Sequence, residues 1–337
     1  MTLREKFSDI LDDKNNNEKT IVAPITTINL IKYRQNLDVQ FPEAHLNVDD
    51  MVKLATAPYN TSKIEGINIP FDMTIESQSF GCEIDMRDGS NMPEVASSPF
   101  SKPEDIEIPE NFTDSSRMKI LFDAMDKINM QYPDVPLIVG VVGPFTLLGQ
   151  LLGIEDLLKY IKTEYFEIEE AISVITEALI MFCEEIDKHN PSAICICEPS
   201  CSCDLLDPKI FKKLIKEEVE YIADSIQSHS ILHVCGNSTE IIEDMLTCNY
   251  DAISIENIVD LDYVNEQRTK TQSKTKVCGN VSTKTLLLGD KTQINTEVKT
   301  ALNKGIDIVA SSCSVPPYTP EENVHEMIKA RDEYYQQ

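Results

Sequence analysis

Basic residues are scarce in this chain: 30 Lys and Arg stand against 57 Asp and Glu, a formal charge of −27. Such a balance repels polyphosphate and argues against nucleic acid as a partner. No apolar run approaches the roughly 20 residues that span a bilayer, so no membrane association is expected. The opening MTLREKFSDILDDKNNNEK is charged and helix-like where an export signal would be apolar. A cytoplasmic setting with reduced thiols is therefore expected, and the ten cysteines are candidates for metal binding or burial before disulfides. Neither GxGxxG nor GxxxxGK[ST] occurs, which weighs against a doubly wound nucleotide-binding sheet.

What is present is an alternation of short β-branched runs and longer amphipathic stretches. LIVGVV (137–142), AICIC (193–197), SILHV (230–234), DAISI (251–255), TKVCG (275–279) and DIVAS (307–311) read as strands, with helix patterns such as 167–189, 207–227 and 238–248 between them. TIVAP (20–24) and GINIPF (66–71) supply two more. Strands separated by helices pair in parallel through right-handed crossovers. At 337 residues and 42% apolar content, eight such units fit a single (β/α)₈ TIM barrel over 1–337. Residues 1–19 read as a helical N-terminal extension, and a polar, proline-containing loop is expected near 87–116.

Barrel enzymes carry their chemistry at the C-terminal ends of the strands. Five strand termini here carry Glu198, His233 with Cys235, Glu256, Asn280 and Cys313. Side chains at i and i+2 of a strand share a face, so His233 and Cys235 aim an imidazole and a thiol at one point. With Cys313 they read as three ligands of a catalytic zinc, the fourth position being left to water or substrate. Two other readings stand beside it. Cys195, Cys197, Cys201 and Cys203 lie close enough in sequence for a local four-thiolate site, although with Glu198 looking into the mouth Cys195 and Cys197 would face the helices as packing residues. Cys313 could instead be a nucleophile with His233 as its base. The start of GPFTLLGQ, Gly143 to Thr146, offers helix-terminal amides to an anion or is simply a helix start with proline in its first turn.

Several stretches taken together, FPEAHLNVDDMVKLA, INIPFDMTIESQSFGCEID, GPFTLLGQLLG, HVCG, AISIEN and SSCSVPPYTPEENVHEMIKA, resemble the methylcobamide:coenzyme M methyltransferases of methanogenic archaea, within the uroporphyrinogen decarboxylase superfamily. The resemblance runs from about Pro24 to Ala330. It implies a (β/α)₈ barrel, one Zn²⁺ on His233, Cys235 and Cys313, and methyl transfer in methanogenesis from a methylcobamide carried by a partner corrinoid protein to the thiol of coenzyme M. The decarboxylases' Arg-rich N-terminal motif is missing at PITTINLIKYRQ, which disfavours porphyrin decarboxylation. Where the family often has Asp-Glu, this chain has Glu256-Asn257, so Glu256 either completes the metal's coordination from a displaced position or only caps a loop. Gly143, Thr146 and Asn280 are the expected holders of the sulfonate. The alternatives are another thiol or folate acceptor, or a non-catalytic corrinoid-binding relative; retention of all three ligands favours the enzyme.

Overall fold

The computed structural model describes residues 1–14, 19–87, 89 and 91–336; residues 15–18 of the expected extension and residues 88 and 90 of the expected loop lie outside the described residues. Seven parallel strands form one curled sheet: β1 (Ile67–Ile69), β4 (Leu137–Val142), β5 (Ala193–Cys197), β6 (His229–His233), β7 (Ala252–Ser254), β8 (Lys276–Val281) and β9 (Ile308–Ser311), paired in that order. β2 (Glu83–Asp85) and β3 (Glu94–Ser97) form a separate antiparallel hairpin in the loop after β1. The eighth stave is the expected 20–24 segment, reduced to a single parallel bridge at Val22. Its backbone still reaches both neighbours: Ala23 N–H donates to Val309 O at 2.9 Å, and Glu65 N–H donates to Val22 O at 2.9 Å. Pro24 ends it, because proline has no N–H for a ladder.

Two shells of apolar side chains result. Between strands and helices lie residues such as Ile194, Ile196, Leu232, Val277 and Val309. Inside the barrel lie Ile138, Ala193, Cys195, Ile231, Ala252, Cys278, Ile308 and Ala310, joined by Phe7, Ile10 and Leu11. Those last three come from α1 (Leu3–Leu11), whose buried side chains recur at helical spacing and whose start is held by a capping box of Thr2 and Glu5. Many of the interior strand residues are small, and α1 contributes bulk that they lack.

The inner cluster corrects one expectation. Cys195 and Cys197 do not face the helices: Cys195 belongs to the interior, with Cys197 packed against that cluster, while Ile194 and Ile196 face outward. Glu198 shares the parity of Ile194 and Ile196. It leaves the barrel axis and turns to the start of the helix Pro144–Leu152.

Candidate metal centre

β6 delivers His233 at its C-terminal end, and the chain continues through buried Val234 to Cys235. Cys313 follows β9, three strands further round the sheet. The structure brings the three together: His233 Nε2 lies 3.0 Å from Cys235 Sγ, and Cys235 Sγ lies 3.2 Å from Cys313 Sγ. Among the described residues, this is the one group of three or more His, Cys, Asp or Glu side chains clustered closely enough to hold a metal. His233 is buried, and Ser254 Oγ at 3.0 Å from Nδ1 fixes its ring so that Nε2 is left for the sulfurs.

Tetrahedral zinc, with bonds of about 2.3 Å to sulfur and about 2.0–2.1 Å to nitrogen, has ligand–ligand edges of about 3.5–3.8 Å. The observed separations fall about half an ångström inside those edges, and the soft N/S donor set suits the ion. Both cysteines are free. The Cys235 thiol donates to Cys313, which, against the effect of burial and with help from His233, brings Cys313 down to about 4. The same hydrogen bond, with burial, pushes Cys235 up. The two sulfurs are close enough to share a proton between them.

The cluster sits on a cavity of about 120 Å³, walled mainly by apolar groups including Ile25, Pro70, Phe71 and Val142, with Cys197 beside the three ligands. Other expected site residues lie elsewhere. Glu198 is fully buried and accepts from Phe145 N–H at 2.7 Å, Thr146 N–H at 3.0 Å and Thr146 Oγ1 at 2.6 Å. The helix-terminal donors expected to take an external anion are thus already engaged within the chain, those of Thr146 by Glu198 and the Gly143 N–H by Cys197 O at 2.8 Å. A Cβ on Gly143 would come 2.2 Å from Glu198 Cγ, which explains the glycine. Burial raises the Glu198 carboxyl to about 7 even with these donors. Asn280 opens on a different groove, with Val259, Asp260 and Lys304. Glu256 does not join the metal-binding group; its Oε1 accepts the Gly236 N–H at 2.9 Å and so anchors the turn just after Cys235. The local four-cysteine arrangement does not form: Cys195 and Cys197 are 3.9 Å apart in the barrel, while Cys201 bonds Glu198 and Cys203 reaches the backbone at Glu240 and Ile241.

Sequence reasoning missed a buried ionic group on the cavity wall. Asp72 lines the cavity, pairs with Arg117, and has His45 Nδ1 at 2.8 Å from Oδ2. Its Oδ1 accepts from Thr74 N–H at 2.9 Å and Thr74 Oγ1 at 2.6 Å. Burial alone would raise the Asp72 carboxyl, but Arg117 and His45 overcome it and hold the group well below the usual carboxylate range. Close by, Glu76 accepts the Val142 N–H at 2.9 Å and is raised by burial to about 7. His45 and Asp72 stand in the FPEAHLN and INIPFDM stretches. That placement was the one signal available, since nothing in their spacing pairs them.

An all-parallel barrel with a His/Cys/Cys cluster at its C-terminal mouth, where barrel enzymes carry their chemistry, could hold a metal ion. The family model for uroporphyrinogen decarboxylase (URO-D) matches residues 10–334, and the chain belongs to that family. It is 32% identical over 323 residues, 94% of either chain, to the methylcobamide:CoM methyltransferase MtaA of Methanosarcina barkeri. It is 24% identical to the methylated-thiol–coenzyme M methyltransferase of Methanosarcina mazei, over 87% of this chain and 79% of that one. A solved structure described as a methyltransferase from Methanosarcina mazei superposes with a TM-score of 0.94 at 30% identity, covering 99% of each chain. The chain is accordingly a methyltransferase within the family. No helix among the described residues is long and apolar enough to cross a membrane.

Proposed function

We propose that this protein transfers a methyl group from a methylated corrinoid, carried by a partner protein, to the thiol of coenzyme M, using a zinc ion held by His233, Cys235 and Cys313, in cytoplasmic methanogenesis from methylated compounds. The observation that carries the reading is the convergence of those three side chains beside a small apolar cavity at the barrel mouth. Similarity to methylcobamide:CoM methyltransferases along nearly the full chain supports the choice of donor and acceptor.

Zinc bound there would supply a Lewis acid that keeps an acceptor thiol deprotonated at neutral pH. The chain's residues do the rest. Ser254 keeps His233 in one ring orientation. Glu256 holds the Gly236 amide, so the segment bearing Cys235 is fixed before substrate arrives. The Ser314 N–H donates to Cys313 and helps that sulfur hold negative charge. With a metal bound, Cys235 and Cys313 as thiolates would offset the ion's charge and leave an acceptor sulfur electron-rich enough to act as a nucleophile. Walls of Ile25, Phe71 and Val142 exclude water from the reacting atoms. Transfer requires the sulfur and the methyl carbon to come within about 3–3.5 Å, so on this reading the corrinoid donor would approach through the opening of this cavity.

The test joins metal quantification to a spectroscopic assay of purified protein with methylcobalamin and coenzyme M. Stoichiometric zinc and coenzyme-M-dependent demethylation of the corrinoid are expected. Demethylation with another thiol or a folate but not with coenzyme M would refute the acceptor, and full activity without metal would refute the zinc.

A further inference from the structure

The segment that leaves β5 reverses the charge of the chain. Residues 205–216, LLDPKIFKKLIK, hold four Lys and one Asp in a protein whose formal charge is −27. That one carboxylate is engaged as a helix cap, Asp207 Oδ1 accepting the Lys209 N–H at 2.9 Å. Pro208–Ile210, Phe211–Ile215 and Lys216–Ser225 then form one continuous helical run whose middle part is π-helical, a rare geometry that is frequent at functional sites. Phe211, Leu214 and Ile215 are buried in that turn, which leaves Lys212 and Lys213 exposed, as Lys209 is one turn earlier. Among the described residues no carboxylate pairs with any of these three, whereas Lys216 just beyond them pairs with Glu220 at 3.0 Å.

This stretch stands beside the metal cluster. Just before it, the Cys203 N–H donates to Asn237 O at 2.7 Å, and a Cβ on Gly236, the residue after Cys235, would lie 2.8 Å from Ser202 Oγ and 3.8 Å from Asp204 Oδ2. Leu205 follows, 46% exposed, between that strap and the lysines. An exposed apolar side chain flanked by unpaired cations, next to the opening through which a corrinoid must reach the metal, has the makeup of a docking surface. Charges on the rim of such a surface speed encounter with a partner of opposite sign. Three exposed ammonium groups enclose no small anion, and the rest of the chain repels nucleic acid. A second copy would carry the same excess of negative charge, so two copies repel overall. We propose that Leu205, Lys209, Lys212 and Lys213 form a docking surface for an acidic face of the protein that carries the methylated corrinoid. The proposal rests on the corrinoid-to-coenzyme M reading and deepens it, by assigning the side of the mouth that the donor protein engages and the charge it presents there.

The experiment compares wild type with the docking variant Lys209→Glu/Lys212→Glu/Lys213→Glu and with a control, Lys63→Glu/Lys274→Glu/Lys329→Glu. The control makes the same change in net charge at exposed lysines before β1, before β8 and in the last helix. Two methyl donors are offered with coenzyme M: free methylcobalamin, which needs no protein contact, and the corrinoid protein of the same organism reconstituted with methylcobalamin. Loss of steering predicts that the docking variant loses about tenfold or more of kcat/KM with the protein-borne donor at low salt, and that the gap narrows as salt is raised. Free methylcobalamin should be used as well as by wild type, and the control should keep both activities. Equal use of the protein-borne donor by the docking variant and wild type would overturn the surface. So would an equal loss with both donors, or an equal loss in the two variants. A wild-type oligomer that the docking variant dissolves would assign the patch to a second copy and overturn it too. Function and surface fail separately. If neither donor methylates coenzyme M, the acceptor reading falls, and calorimetric binding of the corrinoid protein still decides the surface: weakened in the docking variant alone, it upholds it, and equal in all three proteins, it overturns it.

Discussion

Replacing Arg117 with methionine removes the main counter-charge of a carboxylate that has no exposure to solvent. Arg117 is 1% exposed, and its guanidinium bonds Asp72 and the Thr74 hydroxyl. Methionine fills a similar volume, so the loss is mainly electrostatic. Breaking one side of a buried ion pair costs about 3–5 kcal/mol, because the other charge stays buried and unpaired. For 337 residues, at about 2.1 cal/mol/K each, the entropy of unfolding is about 0.7 kcal/mol/K, and that loss lowers Tm by about 4–7 °C. Adding Asp72→Asn removes the stranded charge while an amide oxygen still accepts from Thr74, so the double variant should regain about 2 kcal/mol over Arg117→Met alone. The pH dependence has a definite sign. Asp72 titrates lower in the folded protein than in the unfolded chain, so its contribution is complete above the unfolded value of about 3.9 and is lost as pH falls toward the folded one. Urea unfolding of wild type, both single variants and the double variant at pH 7 gives the cycle. A double variant no more stable than Arg117→Met would refute the claim that an unpaired Asp72 charge is what the arginine prevents.

Cys313→Ala is expected to abolish metal retention whereas Cys197→Ala spares it, as judged by metal content after dialysis; an empty site in Cys197→Ala would move the centre toward the barrel interior. Ser254→Ala frees the His233 ring, so metal affinity measured by chelator competition should fall about 10–100-fold with all three ligands intact. Glu76 titrates at about 7 in the fold against an ordinary 4.5, so the folded protein binds its proton more tightly and stability declines as pH rises across that interval. Glu76→Gln, which keeps an acceptor for Val142 N–H, should match wild type at pH 4.5 and exceed it by up to about 3 kcal/mol at pH 8 in urea unfolding.

The strands were legible where burial is two-sided. LIVGVV and AICIC match β4 and β5 residue for residue, because apolar runs covered on both faces stand out from any surface. β2 and β3 escaped notice: their side chains are largely exposed and polar, and they pair only with each other. Alternation also carried a limit of its own. A period of two tells which residues share a face and leaves open which face points inward. For Ile194, Ile196 and Glu198 on one side and Cys195 and Cys197 on the other, the inward face had to come from three dimensions. The Asp72–Arg117 pair was hidden for a related reason. Its members lie 45 residues apart, and single charged residues in sequence read as solvent-facing.

The acidic composition takes on a second meaning at the barrel mouth. Three glutamates there act as fixed acceptors for loop backbone: Glu76 for Val142 at the end of β4, Glu198 for Phe145 and Thr146 in the following helix start, and Glu256 for Gly236 after β6. Each bond satisfies an amide that the ladder leaves free at a strand end or a helix start. Gly236 shows why this matters to the metal ligands. Its φ of +71° turns the chain immediately after Cys235, and a Cβ there would come 2.8 Å from Ser202 Oγ. The turn thus combines a conformation glycine adopts readily with an anchor from Glu256. Together they hold the Cys235 backbone in place without using Cys235 itself. With its carboxylate held on the Gly236 amide, Glu256 is committed to the backbone, so a metal ion held by His233, Cys235 and Cys313 would have its remaining coordination open to a ligand from outside the chain.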